Sequence, residues 1–247
     1  VSDKRAKVQL ADASGLESLQ ARRERLAAQL RERNALFRAF PLSFQQRGIW
    51  FIEQFQPGTA AYHLPFALEF PERRDPQTVR RAIDALVAHH PALRTTFALD
   101  ELTYEAIQRV HTRLCVPLRY SDLSALADPQ DRLRELSRQH ATEPFDLECG
   151  PLIRVHLLEL PGASQRLLVT LHHLIGDGWS LHLVMRDLEA CYEALSRRRE
   201  PALRRPPRDY HDWSVWQREH AWEGWQPHLD YYREALRGSS SWPGLPT

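Results

Sequence analysis

Leu171-His172-His173-Leu174-Ile175-Gly176-Asp177-Gly178-Trp179-Ser180 lies where one periodicity gives way to another. Before it, Arg166 to His172 reads as a β-run. After it, Leu181, Val184, Met185, Leu188, Tyr192 and Leu195 repeat at the 3.6-residue spacing of an amphipathic helix. A strand-to-helix junction holds side chains out on a rigid frame, so the stretch marks a candidate site as well as the fold. Alternation along the strand puts Val169, Leu171 and His173 on one face and Leu168, Thr170 and His172 on the other, which gives the two histidines different surroundings. Asp177 can turn back to fix the loop, with Gly176 and Gly178 supplying backbone freedom for a tight turn. Ser180 is read as a helix cap or an oxyanion contact. An imidazole that titrates near neutrality suits taking a proton from, or orienting, an amine or alcohol that attacks an acyl group. Two histidines and an aspartate can also ligate a metal. No metal is assigned, because adjacent strand residues point opposite ways and no further ligand follows at helical spacing.

Working outward, Leu152 to Leu160 pairs as a hairpin with Arg166 to His172 across the turn-forming Pro161-Gly162-Ala163-Ser164. Phe66 to Phe70 reads as a strand, and Pro76 to His90 as a helix with Val79, Ile83, Leu86 and Val87 on its apolar face. Leu93 to Leu99, Tyr104 to Val110 and Cys115 to Tyr120 are short β-runs, and Pro129 to His140 is a helix. Tyr210 to Leu236 reads as helical. Its Trp213, Trp216, Trp222 and Trp225 suit packing in a core or between lobes. The expected fold class is α+β, a mixed β-sheet flanked by helices. Ahead of it, Leu16, Leu19, Leu26 and Leu30 suggest an amphipathic linker or docking helix.

Composition narrows the functions open to the chain. Its 247 residues carry 33 basic and 32 acidic side chains, so charge makes no case for a nucleic-acid partner. Only Lys4 and Lys7 are lysines, which excludes a Schiff-base or phosphate-loop lysine from the body of the chain. Cys115, Cys149 and Cys191 are widely spaced and read as buried free thiols of a reducing compartment. No apolar run is long enough to span a membrane and no signal peptide is evident, so a cytoplasmic chain is expected. Arg197 to Arg199 with Arg204, Arg205 and Arg208 form a basic cluster, read as a solvated loop or a contact for an acidic carrier protein.

His172-His173-Leu-Ile-Gly-Asp177-Gly178-Trp-Ser resembles the HHxxxDG motif of condensation domains of nonribosomal peptide synthetases, which belong to the chloramphenicol-acetyltransferase-like acyltransferases. Three more segments follow that family's order. Pro41-Leu-Ser43-Phe-Gln-Gln46-Arg47-Gly-Ile-Trp50-Phe resembles its SxAQxRxW motif. His89-His90-Pro-Ala-Leu93-Arg94-Thr95-Thr-Phe97 resembles RHExLRTxF, with His89 and Pro91 replacing the usual Arg and Glu. Tyr210-His-Asp212-Trp213-Ser-Val215-Trp216 resembles YxDYAVW.

The resemblance implies a linker or docking helix over 1–37, the N-terminal lobe of a condensation domain over 38–237, and over 238–247 the start of a linker to a C-terminal lobe. It also implies amide formation between a donor acyl or peptidyl thioester and an acceptor aminoacyl thioester. Both would arrive on phosphopantetheine arms of upstream and downstream carrier proteins, with no directly bound cofactor, nucleic acid or membrane. By motif position His173 stands at the amine, as base or as positioner, and His172 is its structural neighbour. Asp177 is expected in an arginine salt bridge, with Arg47 favoured over Arg94 or an arginine of the other lobe; breaking a buried pair of that kind costs about 3–5 kcal/mol. Gly178, Trp179 and Ser180 favour condensation over epimerisation. Two more functions compete with it: a glycerolipid acyltransferase, suggested by His172-x4-Asp177, and a non-catalytic module that recruits carrier proteins. Without the family's later motifs, the isolated lobe is expected to be feebly active.

Overall fold

The computed structural model describes residues 36–239, with isolated helical positions at Ala21 and Arg25. The helix expected within 1–37 and most of the linker expected at 238–247 lie outside the described residues. In chain order the elements are β1 (Phe37–Pro41), α1 (Phe44–Phe55), β2 (His63–Phe70), α2 (Pro76–His89), a 3-10 turn (Pro91–Arg94), β3 (Thr95–Leu99), β4 (Ala106–His111), β5 (Leu118–Asp122), α3 (Pro129–Thr142), β6 (Ile153–Glu159), β7 (Gln165–His172), α4 (Gly178–Ser196) and α5 (Tyr210–Ala235).

Local chemistry explains where the helices begin. Asp75 and Asp128 accept backbone N–H groups three residues on and are each followed by proline at the first helical position, whose fixed φ suits a helix start. Ser43 with Gln46, and Asp209 with Asp212, form reciprocal capping boxes that open α1 and α5. β1 and α1 have no counterpart among the expected elements, although Ser43-x-x-Gln46 is the sequence signature of such a box.

The strands form two sheets, β1-β4-β3 and β2-β7-β6-β5. The second is mixed, as expected: β6 and β7 form an antiparallel hairpin, and β5 runs parallel to β6 after the crossover through α3. The hairpin turns at Pro161–Ala163, where Gly162 and Ala163 both adopt positive φ. β7 is buried along nearly all its length, so both of its faces carry core. Leu167, Val169 and Leu171 pack in one cluster with Val79, Ile83 and Leu86 of α2 and Val184, Leu188 and Cys191 of α4. Leu168 joins the opposite cluster with Leu133 and Leu136 of α3. The alternation read from the strand is therefore the alternation of the fold.

Some residues sit differently from expectation. Cys191 is buried, but Cys115 and Cys149 are exposed. Trp213, Trp216 and Trp225 are each at least 40% exposed, so they are not core residues of the described chain. Among the described residues no helix is long and apolar enough to cross a membrane.

Candidate active site

Asp177 ends the β7–α4 junction as the N-cap of α4. Its Oδ1 accepts the backbone N–H of Ser180 at 2.8 Å and the Ser180 hydroxyl at 2.7 Å. These two bonds hold its carboxyl below the usual aspartate range, against burial that pushes the other way, and nearby His173 adds to the lowering. Ser180 is thus the capped residue and not the cap. Its single hydroxyl proton is committed to Asp177, which leaves none to donate to an oxyanion. Gly176 and Gly178 do not adopt positive φ, so the turn does not need glycine for its backbone. A Cβ on Gly176 would meet Ser180 Cβ at 3.1 Å, whereas one on Gly178 would meet nothing within 4 Å.

The expected arginine partner of Asp177 is absent among the described residues. Arg47 is exposed on α1, and Arg94 donates to the His111 carbonyl on β4. A carboxylate already satisfied by Ser180 at an exposed helix start has little need of a buried counter-charge.

The two histidines occupy the contrasting environments that alternation predicts. His172 is 1% exposed, packed between His63 and Phe145. Its Nδ1 accepts the Leu174 N–H at 3.1 Å, so the ring proton resides on Nε2, which donates to Glu53 Oε1 at 3.2 Å. Burial, helped by the neighbouring His63 and His173, pushes His172 down to about 4, so it is neutral at physiological pH. Burial also raises the Glu53 carboxyl. This chain of bonds joins α1 to the end of β7, and Glu53 enters it with no local sequence signal. His173 is half-buried and held through its backbone N–H to the Tyr62 carbonyl at 2.8 Å, and it lines a cavity of about 490 Å³.

All four sequence motifs meet at that cavity. Gln46 and Ile49 come from α1, Ala92 and Thr95 from the segment after α2, His173 to Asp177 with Trp179 and Ser180 from the β7–α4 junction, and Tyr210, His211 and Trp213 from α5. Buried side-chain bonds fix the assembly. Gln46 accepts the Ser43 N–H at 3.0 Å and donates to the Leu174 carbonyl at 3.0 Å, so one side chain caps α1 and steadies the histidine loop. Ser43 Oγ lies 2.9 Å from the Tyr210 hydroxyl. Gln108 on β4 donates to the Pro41 carbonyl and to Ser214 Oγ, both at 2.8 Å. His173, Asp177, Trp179 and Ser180 are thus brought together on the cavity wall with His172 behind it, Trp179 keeping most of its ring exposed; Gly178 is exposed and outside the lining, and Arg47 and Arg94 lie elsewhere. Gln46 is found by its capping box, but Gln108 and Glu53 only by the tertiary contacts they make.

A family model described as the condensation domain matches residues 38–247. The chain belongs to the condensation domain family. It is 35% identical to chondramide synthase cmdD of Chondromyces crocatus over 79% of this chain and 5% of that protein. It is 36% identical to phosphinothricin tripeptide synthetase PhsB of Streptomyces viridochromogenes over 80% of this chain and 17% of that protein. The chain therefore spans a small part of these curated relatives. Among solved structures it resembles the starter condensation domain of rhizomide synthetase RzmA, with TM-score 0.72 at 22% identity over 83% of this chain and 49% of that one. The first condensation domain of the calcium-dependent antibiotic synthetase matches with TM-score 0.73 at 22% identity, over 82% of this chain and 48% of that one. Against these condensation-domain structures the chain spans about half the length, and the likeness bears out the α+β fold.

Proposed function

We propose that the chain is the N-terminal lobe of a peptide-bond-forming condensation domain of a nonribosomal peptide synthetase. The acceptor aminoacyl amine attacks the carbonyl of the donor acyl or peptidyl thioester, a C–N bond forms, the C–S bond breaks, and the thiol of the donor arm leaves. Both thioesters arrive on phosphopantetheine arms of carrier proteins. The observation that carries this reading is the meeting of all four family motifs at one cavity, with His173 on its wall. An α-ammonium must lose a proton before it attacks, so an imidazole at the amine serves by accepting that proton or by orienting the nitrogen. His172, neutral and bonded on both ring nitrogens, is left to hold the loop. Asp177 shapes the turn that presents His173.

The exposed Trp179, Trp213 and Trp216 suit contact with a second lobe that completes the cavity, in keeping with matched condensation domains of twice the length. Exposed free thiols at Cys115 and Cys149 fit a reducing cytoplasm. The test is amide formation from two loaded carrier proteins, with and without the rest of the domain supplied. With it supplied, His173→Ala is expected to lower turnover at least 100-fold while the far-UV spectrum is unchanged. Turnover retained by that variant overturns the role of His173, and robust turnover by the chain alone overturns the single-lobe assignment.

A further inference from the structure

His173 is held by the peptide groups on either side of it. Its own N–H donates to the Tyr62 carbonyl at 2.8 Å, and the following N–H, that of Leu174, donates to His172 Nδ1 at 3.1 Å. The Leu174 carbonyl then accepts from Gln46 Nε2 at 3.0 Å. Fixing the peptide planes before and after a residue fixes both of its backbone torsions, and with them the direction its side chain leaves the chain. Two of these three bonds lead back to α1. Gln46 makes one directly, and Glu53 stands behind the other through His172.

The bond at Leu174 depends on which ring nitrogen of His172 carries the proton. A backbone N–H can only donate, so Nδ1 must present a lone pair and the proton must sit on Nε2. The other tautomer, and the imidazolium, would set two donors face to face. An Nε2–H in the core needs an acceptor, and His172 is 1% exposed and Glu53 6%. Among the described residues that acceptor is Glu53 Oε1, at 3.2 Å. The neighbouring His63 is engaged elsewhere, its Nδ1 lying 2.8 Å from the Ala141 carbonyl. The edge-on rings of His63 and Phe145 wedge the imidazole in place. With Glu53 removed, a buried donor is left unpaired; moving the proton to Nδ1 or turning the ring relieves this, and either breaks the bond to Leu174.

We propose that Glu53 is a positioning residue for His173: by accepting the Nε2 proton of His172 it fixes the tautomer that holds the Leu174 peptide, and so aims the His173 ring into the cavity. Glu53 does not itself line that cavity. The effect on turnover rests on the proposed acyl transfer, whereas the tautomer and the held peptide do not.

Nitrogen-15 correlation spectra of the histidine rings, amide exchange at Leu174 and turnover with the rest of the domain supplied test the proposal. His172 is expected to be Nε2–H in the native chain and in Glu53→Gln, whose amide oxygen still accepts. In Glu53→Leu it is expected to shift toward Nδ1–H, with exchange at Leu174 at least tenfold faster. Turnover by Glu53→Leu should show kcat lowered at least tenfold and KM within threefold, because only the aim of His173 is lost. Glu53→Gln should bring kcat back to within threefold of the native value. An Nδ1–H or charged His172 in the native chain overturns the proposal, and that reading stands even where Glu53→Leu fails to fold. A Glu53→Leu chain that keeps both the Nε2–H form and Leu174 protection overturns it too, as does a Glu53→Gln chain as slow as Glu53→Leu. The expected tautomers and exchange in a chain that forms no amide even with the whole domain supplied would support the role of Glu53 at Leu174 and sink the acyl-transfer reading alone.

Discussion

Asp177 commits its carboxylate to the backbone. By accepting both the N–H and the hydroxyl of Ser180 it sets where β7 gives way to α4, and so where His173 stands. Because it is exposed and pairs with no arginine among the described residues, removing it deletes a helix cap and not half of a buried ion pair. Asp177→Ala is expected to cost about 1 kcal/mol, and Asp177→Asn, which keeps an acceptor at the cap, a few tenths. Urea midpoints of the two variants check this; a loss above about 3 kcal/mol would instead reveal a buried charge pair. That Asp177 fixes the loop was legible from its place between a strand and a helix. Which partner it takes was not, because an arginine and a serine hydroxyl are equally compatible with one aspartate in a linear string.

The elements around the site are joined by side chains that serve two neighbours at once. Gln46 closes the capping box of α1 and reaches the Leu174 carbonyl, and His172 ties β7 to Glu53 on α1. Strands and helices with clear periodicity, such as the β6–β7 hairpin and α4, appear within a few residues of where the sequence places them. β1 and α1 do not, because β1 buries none of its five residues fully and the residues that α1 buries are the polar Gln46 and Glu53, so neither shows an apolar period. The glycines separate by the same physics. Gly150, just before β6, has φ +63, and a Cβ there would fall 2.8 Å from Thr96 Cγ2 on β3, whereas Gly178 has open space and ordinary φ. Gly150→Ala is expected to destabilise by at least about 1–2 kcal/mol and Gly178→Ala by less than about 0.5 kcal/mol. Thermal denaturation of the pair tests the contrast, and equal melting temperatures would contradict it.

Across the whole molecule the histidines set the pH response. His63, His90, His111, His140, His156 and His172 are all held below their ordinary value, with burial the leading cause in each, and His140 is pushed down to about 3 and His172 to about 4. A group depressed on folding adds stability that is fully present above its unfolded value near 6.5 and is lost as pH falls toward the folded one. Between pH 7 and pH 5 the two deepest groups alone are expected to remove on the order of 2 kcal/mol each. Urea midpoints should therefore fall steadily from pH 7 to pH 5, and a flat profile over that range would rule this out. By itself the amino-acid sequence determined the alternation of β7, the different surroundings of His172 and His173, the mixed α+β class and the four motifs, since each depends on local spacing and backbone preference. Only the tertiary structure decided that these motifs share one cavity and that Glu53, Gln46 and Gln108 hold them there. Those contacts join residues remote in the chain, whose meeting is set by burial of the core and not by any preference of the residues nearby.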